Sequence, residues 1–96
     1  MADMTFAHAA QMMAHVREAS IANTQHLNIT TNSLNEALRK CGAVLQAATG
    51  TRHEAHIKDC IGALEVAKDA LSDARATLVK AATKAADASA SLRGGN

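Results

Sequence analysis

The stretch Ala48–Glu54, which reads ATGTRHE, decides how this chain of 96 residues folds. Gly50 suits the left-handed conformation in which helices often end. Thr51 and Glu54 have the Thr-x-x-Glu spacing of a capping box, which marks the start of a helix. Because a short connection between helices favours antiparallel neighbours, the stretch predicts a hairpin of two helices. The turn of that hairpin is assigned to Ala48, Thr49, Gly50 and Thr51.

Apolar and small residues recur at alternating steps of three and four on both sides of this turn, which is the heptad pattern of a helix seam. The pattern runs from Ile57 to Leu92 in the second half and is clearest from Leu27 to Ala48 in the first. The predicted fold class is therefore all-α, an antiparallel, coiled-coil-like hairpin in a single domain, residues 1–96. The large side chains expected in the seam are Leu27, Leu34, Leu38, Leu45, Ile57, Leu64, Leu71 and Leu78.

The predicted boundaries place the first helix at about residues 5–48, the turn at 49–51, the second helix at 52–90 and a flexible tail at 91–96. Residues 23–33 are rich in Asn and Thr, which favour local hydrogen bonds over helix, and Ser33 with Glu36 has the spacing of a second capping box. A first helix broken in this region is therefore the structural alternative. In an unbroken helix, the polar seam positions would be Ser20, Thr24 and Thr31.

Composition argues against several classes of function. The formal net charge is +1, with Lys and Arg dispersed among Asp and Glu, and Phe6 is the only aromatic residue. The chain therefore lacks the basic face and stacking platforms of a nucleic-acid binder. No apolar run approaches the roughly 20 residues of a membrane span. Residues 1–10 lack a signal peptide's charged and apolar regions, so we expect any export to be signal-peptide-independent.

No pattern of residues in the sequence indicates catalysis. His53 and His56 are three residues apart, but His-Glu-Ala-His is one residue short of the H-E-x-x-H motif, and no third ligand follows nearby. Histidines on a solvated helix face are the simpler interpretation. No serine, histidine and acid combination stands out either. We therefore expect a protein that is not an enzyme and that has no catalytic residues, metal ligands or cofactor.

Cys41 and Cys60 are nearly equidistant from Gly50, so a hairpin turn at Gly50 would bring the two thiols opposite each other. Two interpretations remain open. The cysteines form a disulfide between the helices in an oxidising compartment, or they are reduced thiols that pack as small apolar side chains. Their spacing is not C-x-x-C, which disfavours redox catalysis.

Several apolar residues fall outside the predicted seam and cannot all face the opposite helix. A second apolar surface favours packing against a partner, which would complete a four-helix bundle. The expected partner is a protein, in a homodimer or heterodimer with another helical hairpin or with the helical N-terminal domain of an effector. The residues assigned to this partner interface are Ile21, Ile29, Val44, Ile61, Val66 and Val79.

The opening MADMTF, the polar and apolar first helix, the tight turn and the alanine-rich second helix resemble the WXG superfamily, the helical hairpins of type VII (ESX) secretion. Ala48-Thr49-Gly50 stands where that family has Trp-x-Gly, so only the glycine is kept. The chain has no tyrosine and so lacks the family's Tyr-x-x-x-Asp/Glu secretion signal.

The resemblance implies a non-enzymatic protein that dimerises and acts as the secreted partner of, or escort for, a helical effector domain, with the other chain supplying the export signal. It would be secreted, or cytoplasmic before export. The alternative is a cytosolic coiled-coil adaptor or regulator that homodimerises through the same surface and is never exported. Its cysteines would be reduced.

Overall fold

The computed structural model describes residues 4–94 and contains two helices. Helix α1 covers Phe6–Ala48 and helix α2 covers Glu54–Arg93, and the described residues contain no strand. The helices pair as a hairpin, which confirms the predicted all-α class. Helix α2 therefore starts two residues later than expected and ends three residues later, and residues 95 and 96 of the expected tail lie outside the described part of the chain.

The turn depends on one backbone conformation. Gly50 has a φ of 80°, in the left-handed region that L side chains rarely adopt. The Thr51 N–H donates to the Ala48 carbonyl at 2.9 Å, which closes the turn. A Cβ at residue 50 would meet nothing within 4 Å, so the conformation and not crowding requires glycine here.

The cap of α2 differs from the predicted capping box by one residue. Thr51 Oγ1 accepts a hydrogen bond from the His53 N–H at 3.2 Å instead of from Glu54. The Glu54 carboxylate accepts one from the Gly50 N–H at 3.4 Å instead of from Thr51. Both changes of donor have the same cause. The Thr51 N–H already donates to the Ala48 carbonyl, and the Glu54 N–H already donates to the Thr51 carbonyl. The two side chains still satisfy two backbone donors at the turn.

Helix α1 is continuous through residues 23–33, so the broken-helix alternative is wrong. Hydroxyls at the polar seam positions donate to carbonyls four residues back in the same helix, which removes their need for another partner. Glu36 does not cap a second helix, because its carboxylate accepts from the Arg39 side chain. The three bonds are Ser20 to Val16 at 2.9 Å, Thr24 to Ser20 at 2.9 Å and Thr31 to Leu27 at 2.8 Å.

The hairpin divides into a terminal unit, residues 4–26 with 75–94, and a turn unit, residues 27–74. Small residues form the core of the terminal unit, where Ala10 is 0% and Ala85 2% exposed. Ser89 is also buried, and its hydroxyl donates to the Ala10 carbonyl of the other helix at 2.8 Å. The backbones of α1 and α2 are therefore close enough here for one short side chain to bridge them.

In the turn unit, the interior consists of larger side chains that are only partly covered. Ala48 is the buried apolar residue of this unit, and no large side chain among the described residues is fully buried. A helix covered by a single neighbour hides only one stripe of its surface. The predicted seam residues of this unit are all half-buried, and they are Leu27, Leu34, Leu38, Leu45, Ile57, Leu64 and Leu71. Leu78, the predicted seam residue of the terminal unit, is also half-buried.

Candidate functional site

A groove of about 390 Å³ runs between α1 and α2 in the terminal unit. Its apolar lining is Ile21 from α1 with Val79, Ala82 and Ala86 from α2. Ile21 is 37% and Val79 51% exposed, so both offer apolar surface to a ligand without moving. The small side chains at Ala82 and Ala86 leave the space that larger residues would fill.

Two neighbouring depressions extend this groove along the terminal unit. One shares Arg17 and Ala86 with it and reaches Arg93, and the other shares Val79 and Asp87. The charged residues that line the three are Arg17, Lys80, Lys84, Asp87 and Arg93, four cations and one anion. An apolar groove with mostly basic edges is suited to an amphipathic helix that carries acidic side chains beside its apolar stripe.

The structure brings two of the six predicted interface residues, Ile21 and Val79, together in this groove. The others belong to the turn unit, where Ile29 is 67%, Val44 50% and Val66 70% exposed. Ile61 is instead half-buried, whereas its neighbour Cys60 is exposed. Because Ile57 and Leu64 on either side are also half-buried, the steps of three and four are kept in the opposite order, with Ile61 between them.

Sequence reasoning missed the polar and small residues of the groove. No sequence motif includes Arg17, Ala82 or Asp87. They line the groove because they flank the seam on one side. It also passed over the exposed apolar residues near the start of α1, where Phe6 is 63% and Val16 46% exposed. The available signal was that Phe6, the only aromatic residue, lies at the open end of the hairpin.

The two cysteines meet across the turn unit as free thiols. They approach to 4.0 Å, about twice the length of a disulfide bond. Cys41 is half-buried and Cys60 is exposed. Partial burial raises the pKa of the Cys41 thiol above its usual value, and a hydrogen bond to Cys60 and the charge of Cys60 raise it further.

Two ion pairs in the described residues lie within single helices. Arg39 pairs with Glu36, and Lys58 lies 3.3 Å from Glu54, in both cases one turn along the same helix. Exposed pairs of this kind contribute a few tenths of a kcal/mol each. Within residues 4–94, no three His, Cys, Asp or Glu side chains come together as metal ligands. Neither helix has a segment in the described residues that is apolar enough to cross a membrane.

Comparison of the chain with protein-family models, curated proteins and solved structures gives no match. The likeness to the WXG superfamily therefore remains a hypothesis that depends on the turn glycine, the length of the hairpin and the alanine-rich second helix.

Proposed function

We propose that this chain is a non-enzymatic helical-hairpin protein of a type VII-like secretion system, which dimerises with a second helical protein and acts as its secreted partner or escort. The observation that carries this proposal is the poor cover of its apolar side chains. Among the described residues, no large side chain is fully buried, and nine large apolar side chains are exposed.

The accessible surface leads to the same proposal. The chain exposes 6914 Å² at a mass of 10.0 kDa. A folded monomer of this mass is expected to expose about 5,200 Å², roughly 1,700 Å² less. A standard protein interface covers about 800 Å² on each partner, so the excess is large enough for a partner to cover. A second hairpin would give each helix another neighbour and complete a four-helix bundle.

The groove of the terminal unit is the proposed centre of this contact. Ile21 and Val79 line it and are both exposed, and its edges carry Arg17 and Arg93. The secretion part of the proposal depends on the family resemblance, in which Gly50 matches the family's turn glycine. Because the chain has no tyrosine, we propose that the partner supplies the export signal.

Export is tested by expressing the tagged full chain in its native host, with and without the ATPase of the secretion system. We expect the chain in the culture medium of the parent strain and its loss from the medium when the ATPase gene is deleted. A cytosolic marker protein controls for lysis. A chain that is never found outside intact cells, or whose export ignores the ATPase, would contradict the proposal.

The second candidate function is a cytosolic adaptor that homodimerises and is not exported. This candidate requires Cys41 and Cys60 to stay as free thiols, because a reducing cytosol keeps cysteines in that state. The export experiment separates the two, since the adaptor stays inside the cell whether or not the ATPase is present.

A further inference from the structure

We propose that Cys41 and Cys60 form an oxidation site in which a peroxide converts the two free thiols into a reversible disulfide between α1 and α2. This inference is independent of the proposed function, because it concerns the turn unit and holds whether or not the chain is exported.

The geometry of the pair supports the proposal. The cysteines approach to 4.0 Å, and a disulfide requires about 2.05 Å between the sulfur atoms. Closing the remaining gap of about 2 Å requires rotation of the two side chains, which is the movement that the proposal assigns to oxidation. The turn holds the helices together close by, through the Thr51 to Ala48 hydrogen bond and the Glu54 carboxylate on the Gly50 N–H. Two groups held in this way react as if each were highly concentrated beside the other.

The environments of the two thiols assign the order of the steps. Cys60 is exposed, so a dissolved peroxide reaches its sulfur first. Cys41 is half-buried and its pKa is raised by burial, so little of it is thiolate at neutral pH. The thiolate is the nucleophile in reactions of cysteine with oxidants. Cys60 is therefore the thiol that attacks the peroxide, and Cys41 is the thiol that resolves the product.

The reaction balances with the peroxide as the only oxidant. The Cys60 thiolate attacks one peroxide oxygen, the O–O bond breaks, and the products are a Cys60 sulfenic acid and hydroxide. The Cys41 sulfur then attacks the Cys60 sulfur, the S–S bond forms, and the sulfenic oxygen leaves as water with the Cys41 proton. Two thiols have then lost two electrons, and the peroxide has gained them. A dithiol reductant reverses the change by thiol–disulfide exchange.

Oxidation should stabilise the hairpin, because the bond closes the loop that contains the turn. A disulfide that closes a loop of this length stabilises the folded chain chiefly by reducing the conformational entropy of the unfolded chain. For a domain of this size, the expected rise in the melting temperature is roughly 10 °C or more.

The test treats the reduced full chain with graded hydrogen peroxide and follows it by intact mass, thiol alkylation and thermal melting. We expect each chain to lose two hydrogen atoms and both alkylatable thiols without forming crosslinked dimers, to melt at a higher temperature, and to return to its first state with dithiothreitol. Two retained thiols, oxidation to sulfinic acid alone, or crosslinks only between chains would each overturn the proposal.

Two serine variants test the order of the steps. Cys60→Ser should slow the loss of the Cys41 thiol by about tenfold or more, because the exposed entry point is gone. Cys41→Ser should leave a Cys60 sulfenic acid that dimedone traps. An unchanged rate of Cys41 oxidation in Cys60→Ser would refute the assigned order. Circular dichroism checks that both variants are folded, and the experiment on the unaltered chain decides the main proposal even if one variant is not.

Discussion

At the residue scale, the fold depends most on the backbone of one glycine. Among the described residues, Gly50 is the glycine with a positive φ, while Gly42 lies within a helix where an added Cβ would meet nothing within 4 Å. The two glycines were equally visible in the sequence, but only the turn signals around residue 50 distinguished them. The backbone N–H groups that bond to the Thr51 and Glu54 side chains were not predictable, because they depend on which N–H groups already donate to carbonyls in the turn.

Gly50→Ala should destabilise the hairpin by about 1–2 kcal/mol, the cost of holding an L side chain in the left-handed region. Gly42→Ala is the matched control, and it should stabilise the hairpin by about 0.5–1 kcal/mol because alanine favours helix over glycine. Urea unfolding of both variants, followed by circular dichroism, measures the two changes. Equal stabilities for the two variants would show that the turn does not depend on the glycine.

At the element scale, α1 and α2 pack differently in their two units. Small residues such as Ala10 and Ala85 are buried in the terminal unit, and Ser89 there bonds to the backbone of the opposite helix. Partly covered leucines fill the seam of the turn unit. The heptad pattern predicted the leucine seam of the turn unit, and it also predicted the polar seam positions of an unbroken α1. It could not predict that Ile61 would be partly covered and Cys60 exposed, because both residues lie at an allowed step of three or four from Ile57.

Ala85→Leu should destabilise the hairpin by about 1–3 kcal/mol, because the site is 2% exposed and has no room for three more carbon atoms. Ala76→Leu is the matched control on an exposed face of the same helix, and it should change the stability by less than about 0.5 kcal/mol. Thermal and urea unfolding of the two variants measure the difference. If Ala85→Leu is as stable as the original chain, the close approach of the helices in the terminal unit is disproved.

At the scale of the whole molecule, the chain has more apolar surface than its two helices can cover. Nine large apolar side chains are exposed among the described residues, and the groove at Ile21 and Val79 lies beside basic side chains. Two helices of this length give each other one neighbour, and a stable core usually requires more. We propose that a partner covers this surface.

In the absence of its partner, we expect the purified chain to associate with itself at micromolar concentration, since a second copy carries the same uncovered surface. Light scattering should give a mass above the 10.0 kDa of one chain. Val79→Glu should weaken the association by about tenfold or more, because it places a carboxylate in the apolar groove.

Asn23→Glu is the matched control for this experiment, since Asn23 is exposed in the terminal unit and is not among the residues that line the groove. It should leave the association within about twofold of the original. A stable, well-folded monomer at micromolar concentration would argue against the dimer, and equal effects of the two variants would place the contact outside the groove.

The sequence by itself determined the hairpin, the position of its turn and the large leucine side chains of its seam. These features follow from local conformational preferences and from a repeat that any helix must obey. Only the tertiary structure decided that Ile21 and Val79 share one groove with Arg17 and Asp87, that Cys60 is exposed while Cys41 is half-buried, and that Ser89 bridges the helices. Those relations depend on how far each helix is rotated about its axis and on how closely the two approach, and neither quantity is encoded in the spacing of residues along one chain.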